Sequence, residues 1–292
     1  MTPRIHHTDT LTLVDTTVHG YVQKAIELAK THATYGQIES TDTDFYGDAP
    51  DWPTMVQRAY DGYNARAIAG ARDLIINAMT EDKESPSLHY TGDEFSPVAY
   101  IQGSKRCFYR YEGEPRRPLV HLIYRGNTNA GTSSEAYINH GGAIAALAAA
   151  LDATADLKIT ASYTTSGVFN GGAIMCVRVK DSSESLDIPR LGVTTHPSFH
   201  RRVSFTWYGA LFPSLGKQHM SAIGSAQNRD TMLPDEEFFA WIGGSGEDLV
   251  VDLPAADMDC FGDTNETADW VKLQAAKIQQ CINSGQAHHR AL

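Results

Sequence analysis

The chain is poor in several things, and each shortage removes a class of function. Its four cysteines, Cys107, Cys176, Cys260 and Cys281, are far apart. Structural zinc sites use close cysteine pairs, so buried free thiols are expected instead. No apolar run is long enough to cross a bilayer, and even Ala143–Leu151 stops at Asp152. Met1–Val18 has no signal-peptide core, because Asp9 and Asp15 break its apolar pattern. These features predict a soluble, cytoplasmic protein kept in a reducing compartment. Positive charge is scarce too, with 24 Lys and Arg against 35 Asp and Glu and a net charge of −11. That balance opposes non-specific attraction to phosphate backbones and disfavours nucleic acid as a partner. Intact catalytic motifs are also missing. Ser133, Ser134 and Ser245 lie in Gly-containing loops without the Gly-x-Ser-x-Gly frame of a nucleophile elbow. Gly243-Gly-Ser-Gly246 is not followed by the Lys-Ser/Thr pair of a phosphate cradle.

What is present is a chain of 292 residues with an ordinary hydrophobic share of 42%, enough for a sizeable core. Pro118–Tyr124 is rich in apolar and β-branched residues and closes at Gly126, which predicts a strand buried on both faces. The polar loop 127–135 follows, then an alanine-rich helix over 136–151 carrying Ile144, Leu147 and Leu151 at helical spacing. Strand, polar loop and helix form half of a β-α-β unit, in which ligands sit at the loop after the strand. Leu157–Tyr163 and Ala173–Val179 read as strands joined by a connection too short for a crossover helix, hence antiparallel neighbours. Helices are expected over 187–192, 196–211 and 266–282, a strand at 249–253, and a strand or helix at 238–242. Before the core, residues 1–20 read as an irregular lead-in with a short strand at 10–14, and 31–50 as a loop. Asp51-Trp52-Pro53 opens a long helix over 53–79, weakened by Gly62 and Gly70. The expected fold is α/β: a three-layer Rossmann-like sheet with one antiparallel edge strand in a core domain 96–292, preceded by an N-terminal helical extension 1–95.

The order of elements over 118–282 resembles that of von Willebrand factor A domains, where a β-hairpin follows the first β-α unit. That family carries a metal-dependent adhesion site, Asp-x-Ser-x-Ser, after its first strand. The matching positions here are Arg125, Asn127 and Asn129. An arginine does not ligate a cation, so the resemblance implies a degenerate site in which Arg125 supplies positive charge to Asp252 or to a partner's carboxylate. A second resemblance covers about 50–210 and rests on Val98-x-Tyr100-x-x-Gly103, Gly141-Gly-Ala-x-Ala-Ala-Leu147, His196-Pro197 and Arg201-Arg202. These are similar to an uncharacterised family encoded by tailed bacteriophages and their hosts. It implies a phage setting, with the host cytoplasm or the virion as location, and no particular chemistry.

Candidate sites follow from this frame. Asp252, Asp257, Asp259 and Asp263 leave the 249–253 strand beside Asn127, Asn129 and Thr132, where several oxygens could converge on a hard cation such as Mg. Acids before a helix also serve as caps. His196 and His200 are four apart, a spacing that can turn two imidazoles toward a metal, but Pro197 places His196 outside the helix. Arg201 and Arg202 suggest a solvated charged face. Lys105, Arg106 and Arg110 alternate with Phe108, Tyr109 and Tyr111 ahead of Arg116 and Arg117, as in grips on single-stranded nucleic acid or in an amphipathic strand. The leading expectation is a non-enzymatic, phage-encoded binding or assembly protein that engages a protein partner through Arg125, Asn127, Asn129, Thr132 and Asp252. Two rivals stand beside it. One is a divalent-metal enzyme acting on phosphate esters through Asp252, Asp257 and Asp259. The other binds single-stranded nucleic acid through Lys105–Arg117.

Overall fold

The computed structural model describes residues 2–8, 11–32, 40, 42–49, 51–63, 117–126, 131–167, 171–212, 233, 235–242, 249–253, 261, 264–284 and 288–290, with residues 88–89, 94–95, 101 and 108–109 between them. Strand β1 (Arg4–His7) pairs antiparallel with β2 (Leu11–Thr17), which runs directly into α1 (Val18–Thr31). Helices α2 (Thr43–Tyr46) and α3 (Trp52–Asp61) follow, each opened by an aspartate, Asp42 and Asp51, whose carboxylate accepts a backbone N–H of the first turn. Three two-residue strands, β3 (Leu88–His89), β4 (Glu94–Phe95) and β5 (Phe108–Tyr109), form a small separate sheet.

The main sheet continues with β6 (Leu119–Arg125), then α4 (Ser134–Asp152), β7 (Asp156–Gly167) and β8 (Gly171–Lys180). Next come α5 (Ile188–Thr194), a π-helical segment over Phe199–Ser204 and α6 (Phe205–Leu211). The described chain ends with α7 (Asp235–Trp241), β9 (Leu249–Asp252), α8 (Thr264–Ser284) and β10 (His288–Arg290). Seven strands lie in the order β1-β2-β8-β7-β6-β9-β10. β7, β6, β9 and β10 run parallel, β8 is reversed against β7, and β2 runs parallel to β8. The fold is therefore a mixed, mostly parallel α/β sheet with helices on both faces, as the Rossmann-like expectation has it.

Several boundaries differ from expectation, each for a physical reason. The long helix over 53–79 stops at Asp61, because Gly62 takes a positive φ of 85° and Tyr63 N donates to Pro189 O at 2.9 Å. Residues 64–79 lie outside the described ones. The reversed strand is not at the sheet edge, since β2 pairs along its outer side from Leu11 to Thr17. For the same reason residues 11–31 belong to the core domain rather than to an extension: Val14, Val18, Tyr21 and Val22 sit in the same buried cluster as Tyr163, Phe199 and Trp207. The lead-in thus holds two strands. Residues 238–242 are helical up to Trp241, and the tail reaches β9 as β10.

Period-two alternation splits the sheet into unlike faces. One face presents Val120, Leu122, Tyr124, Ile159, Tyr163, Met175 and Val177 to α1, α4, α5, α6 and α8. The other presents Ile123, Ile174, Cys176 and Val250 to Phe238 and its neighbours at α7.

Candidate functional site

The central strand ends in a tight corner. Gly126 N donates to Ser162 O at 2.9 Å, and a Cβ on Gly126 would run into the ring of Tyr163. Glycine is needed there for close approach rather than for an unusual backbone angle. Ser133 then caps α4 by accepting from Ala136 N at 3.2 Å. Beside this corner, Leu253 N donates to Ile123 O at 2.8 Å and keeps β9 in line to its end. Three polar side chains gather on the face opposite the helical layer. Arg125 is in register with Ser162 on β7, and Ile123, one same-face step earlier, is in register with Asp252 on β9. Arg125 and Asp252 are each 3% exposed and Ser162 2%. Charges this deeply buried persist only where the fold or a ligand answers them.

Above the helical layer, the π-helical segment clamps residues 45–49. Ser198 Oγ donates to Tyr46 O and to Ala49 O, and Arg202 Nε donates to Ala49 O at 3.2 Å. The Arg202 guanidinium lies 3.9 Å from the centre of the Tyr46 ring. Arg201 lies 4.0 Å over Phe45 and 5.0 Å over Tyr137, and donates to Phe45 O and, at 2.9 Å, to Thr132 O. Arg201 therefore ties the loop after β6 to the clamped segment. Both arginines are buried, so the solvated face expected for them is corrected. Guanidinium is weakly hydrated, stacks on aromatic rings and donates several hydrogen bonds, which lets it enter a core that lysine would not. A π-helical insertion is itself uncommon and recurs at functional sites.

The histidine pair does not form a metal site. His196 Nδ1 accepts from Ser198 N at 3.1 Å, which places the imidazole proton on Nε2, and that atom donates to Asp48 Oδ1 at 2.8 Å. Burial lowers the His196 pKa, while the hydrogen bond from His196 holds Asp48 well below the usual carboxylate range. Arg58 bonds the same Asp48 carboxylate, and Tyr63 Oη approaches its other oxygen at 3.4 Å. Tyr63 is pushed up to about 12, first by burial and then by Asp48. This is a closed structural knot with no nitrogen left for a substrate. His200 is stacked on Tyr163 at 5.9 Å and packed edge-on to Phe205, and burial drives its pKa down to about 3. It stays neutral in the core.

Of the residues picked from sequence, the fold brings Arg125 and Asp252 to one end of adjacent strands, while Arg201 ties Thr132 to the 45–49 segment instead. Asn127, Asn129, Asp257, Asp259, Lys105, Arg106 and Arg110 lie outside the described residues. Among the described residues no three His, Cys, Asp or Glu side chains come together to hold a metal ion. Arg117 stays exposed and donates to Asp152 O and Ala155 O at and past the end of α4. Ser162 and the 45–49 segment were not legible from sequence. Alternation along β7 could have placed Ser162 on the face of Lys158 and Thr160, whereas the clamp depends on contacts some 150 residues apart along the chain.

No curated protein and no solved structure matches the chain. One family does, over residues 18–240, a stretch that holds the 45–49 clamp, Arg125, Ser162 and the π-helical segment but stops short of Asp252. The match spans more than half of the sequence, so the chain belongs to the family described as Domain of unknown function (DUF7192).

Proposed function

We propose that the protein is a non-catalytic binding or assembly protein whose partner docks at the C-terminal ends of β6, β7 and β9. The observation that carries this is the gathering of buried Arg125, Ser162 and Asp252 on one face at that end. A guanidinium, a hydroxyl and a carboxylate side by side can read a polar partner group in a fixed orientation. Parallel sheets place their binding loops at this end. His196 and His200 are held in the knot and the aromatic core, so neither acts as a general base, and His121 on the polar face is buried against Thr160. A von Willebrand factor A-like ancestry is supported by the hairpin β7–β8 after the β6–α4 unit, while Arg125 departs from the aspartate of that family's metal site. The phage setting rests on the resemblance over 50–210 alone.

Affinity capture with the purified chain, followed by titration of the recovered protein as a pure component, tests the proposal. Binding should weaken at least about tenfold in Arg125→Gln and in Asp252→Asn, with far-ultraviolet circular dichroism unchanged. Unchanged affinity in both variants would remove the face. Hydrolysis of a nucleotide or phosphate ester that needs Mg or Mn and disappears in Asp252→Asn would replace the proposal with the metal-enzyme rival. Salt-dependent binding of single-stranded nucleic acid, lost when Arg106 and Arg110 become alanine, would replace it with the other.

A further inference from the structure

A cleft of about 420 Å³ opens where β2 runs into α1, across β7 from the strands that carry Arg125 and Asp252. Thr17 caps α1 by accepting from Gly20 N, which leaves the N–H groups of Val18 and His19 at the positive end of a 14-residue helix. Two guanidiniums line the same cleft. Arg178 sits on β8 directly opposite Thr17, and Arg190 comes from α5. Their ion pairs are long: Arg178 lies 3.6 Å from Asp15 and 3.5 Å from Asp181, and Arg190 lies 3.7 Å from Glu184 and 3.6 Å from Asp187. Charge-assisted hydrogen bonds close to about 2.7–2.9 Å when they are well made. Both guanidiniums therefore have hydrogen-bonding capacity that these carboxylates do not saturate. Asp181 and Glu184 are exposed enough to swing into water when another anion takes their place.

The opposite wall is aromatic. Tyr60, 42% exposed, is met edge-on by His19 at 5.3 Å, and Gln23 Nε2 donates to its hydroxyl, so the ring is held while one side stays open. Ala59, Val18 and Val179 add an apolar floor. A volume of this size suits a one-ring ligand or a mononucleotide.

We propose that this cleft is a binding site for a small planar ligand bearing one anionic group, a carboxylate or a phosphate. The anion lies between Arg178, Arg190 and the start of α1, and the ring lies against Tyr60. The site is separate from the partner face, and its ligand chemistry follows from the two walls.

Calorimetric titration of the full chain with phenyl phosphate, benzoate and inorganic phosphate tests this. Phenyl phosphate or benzoate should bind at one site, and inorganic phosphate about tenfold more weakly because it cannot use Tyr60. The arm that binds more tightly identifies the anion. Arg190→Gln should weaken binding at least about tenfold and Tyr60→Leu severalfold, while Arg125→Gln leaves it unchanged. Circular dichroism confirms that each variant is folded. The proposal is overturned if neither ring compound binds at millimolar concentration, if Arg190→Gln and Tyr60→Leu both bind like the parent, or if inorganic phosphate binds as tightly as the ring compounds.

Discussion

The same strands build two very different surfaces. On one side of the sheet, Tyr21, Tyr163, Phe199 and Trp207 pack ring on ring beneath α1, the π-helical segment and α6. On the other side, His121, Thr160, Ser162, Arg125 and Asp252 lie buried among fewer apolar neighbours, and α7 is the described helix that packs there. The residues alternate one by one along β6 and β7, so neighbours in sequence answer to opposite demands. Aromatic burial on the first side holds the fold together. Polar burial on the second costs stability unless hydrogen bonds or opposite charges answer it.

The first way to break this contrast is to hollow out the aromatic side. Trp207 is fully buried, stacks on Tyr21 at 5.1 Å and donates from Nε1 to Tyr21 O at 3.0 Å. Trp207→Ala should cost about 3–5 kcal/mol in urea unfolding, from lost burial and the cavity left behind. A cost below about 1 kcal/mol would mean that stability is not concentrated on this side.

A smaller effect is expected where the two sides meet. Gly126→Ala pushes a methyl into the Tyr163 ring, which is itself fixed by a hydrogen bond from its hydroxyl to Thr194 O at 2.5 Å. Overpacking of this kind should cost about 1–3 kcal/mol and weaken partner binding together with stability. Full stability with lost binding would instead show that the corner moves freely of the core.

Acid titration then compares how dry the two sides are. Burial holds His200, on the aromatic side, down to about 3, and holds His121, on the polar side, to about 3 as well, with Lys158 and Arg178 adding to the latter. Unfolded, each titrates near about 6.5. Above that pH both states are neutral and the histidines contribute nothing to the pH dependence. As pH falls from about 6.5 toward 3 the unfolded chain takes up protons that the folded chain refuses, so stability drops. Replacing either histidine, as His200→Phe or His121→Asn, should make the slope of stability against pH between about 5.5 and 4 shallower by about 1.4 kcal/mol per pH unit. A change for His200 alone would show that the polar side is wet.

Much of the aromatic side was legible in the sequence, and little of the polar side was. Ile144, Leu147 and Leu151 announced α4 by spacing, and the short link between β7 and β8 announced their antiparallel pairing, because these signals are local. Asp51 and Pro53 marked the start of α3 correctly, but its end at Gly62 depended on Tyr63 reaching Pro189, a contact the sequence does not display. Arg201 and Arg202 misled for the same reason. Adjacent arginines read as surface until Phe45 and Tyr46, some 156 residues earlier, are placed over them. Arg125 and Asp252 were paired from the sequence through the von Willebrand factor A resemblance, and the register of β6 with β9 places them on one face.

The finest comparison lies within β7, two residues apart on the polar side. Thr160 Oγ1 is 2.9 Å from His121 Nε2, whereas Ser162 Oγ makes no hydrogen bond among the described residues. Thr160→Val should cost about 1–3 kcal/mol, because it strands a buried imidazole whose Nδ1 already has no hydrogen bond among those residues. Ser162→Ala removes a hydroxyl that gives the fold nothing, so unfolding should change by no more than about 0.5 kcal/mol in either direction. If the hydroxyl serves the partner instead, the same variant weakens binding at the Arg125 face while leaving the urea midpoint in place. Equal stability losses for the two variants would make Ser162 one more structural group and withdraw it from the site, leaving Arg125 and Asp252 to carry recognition.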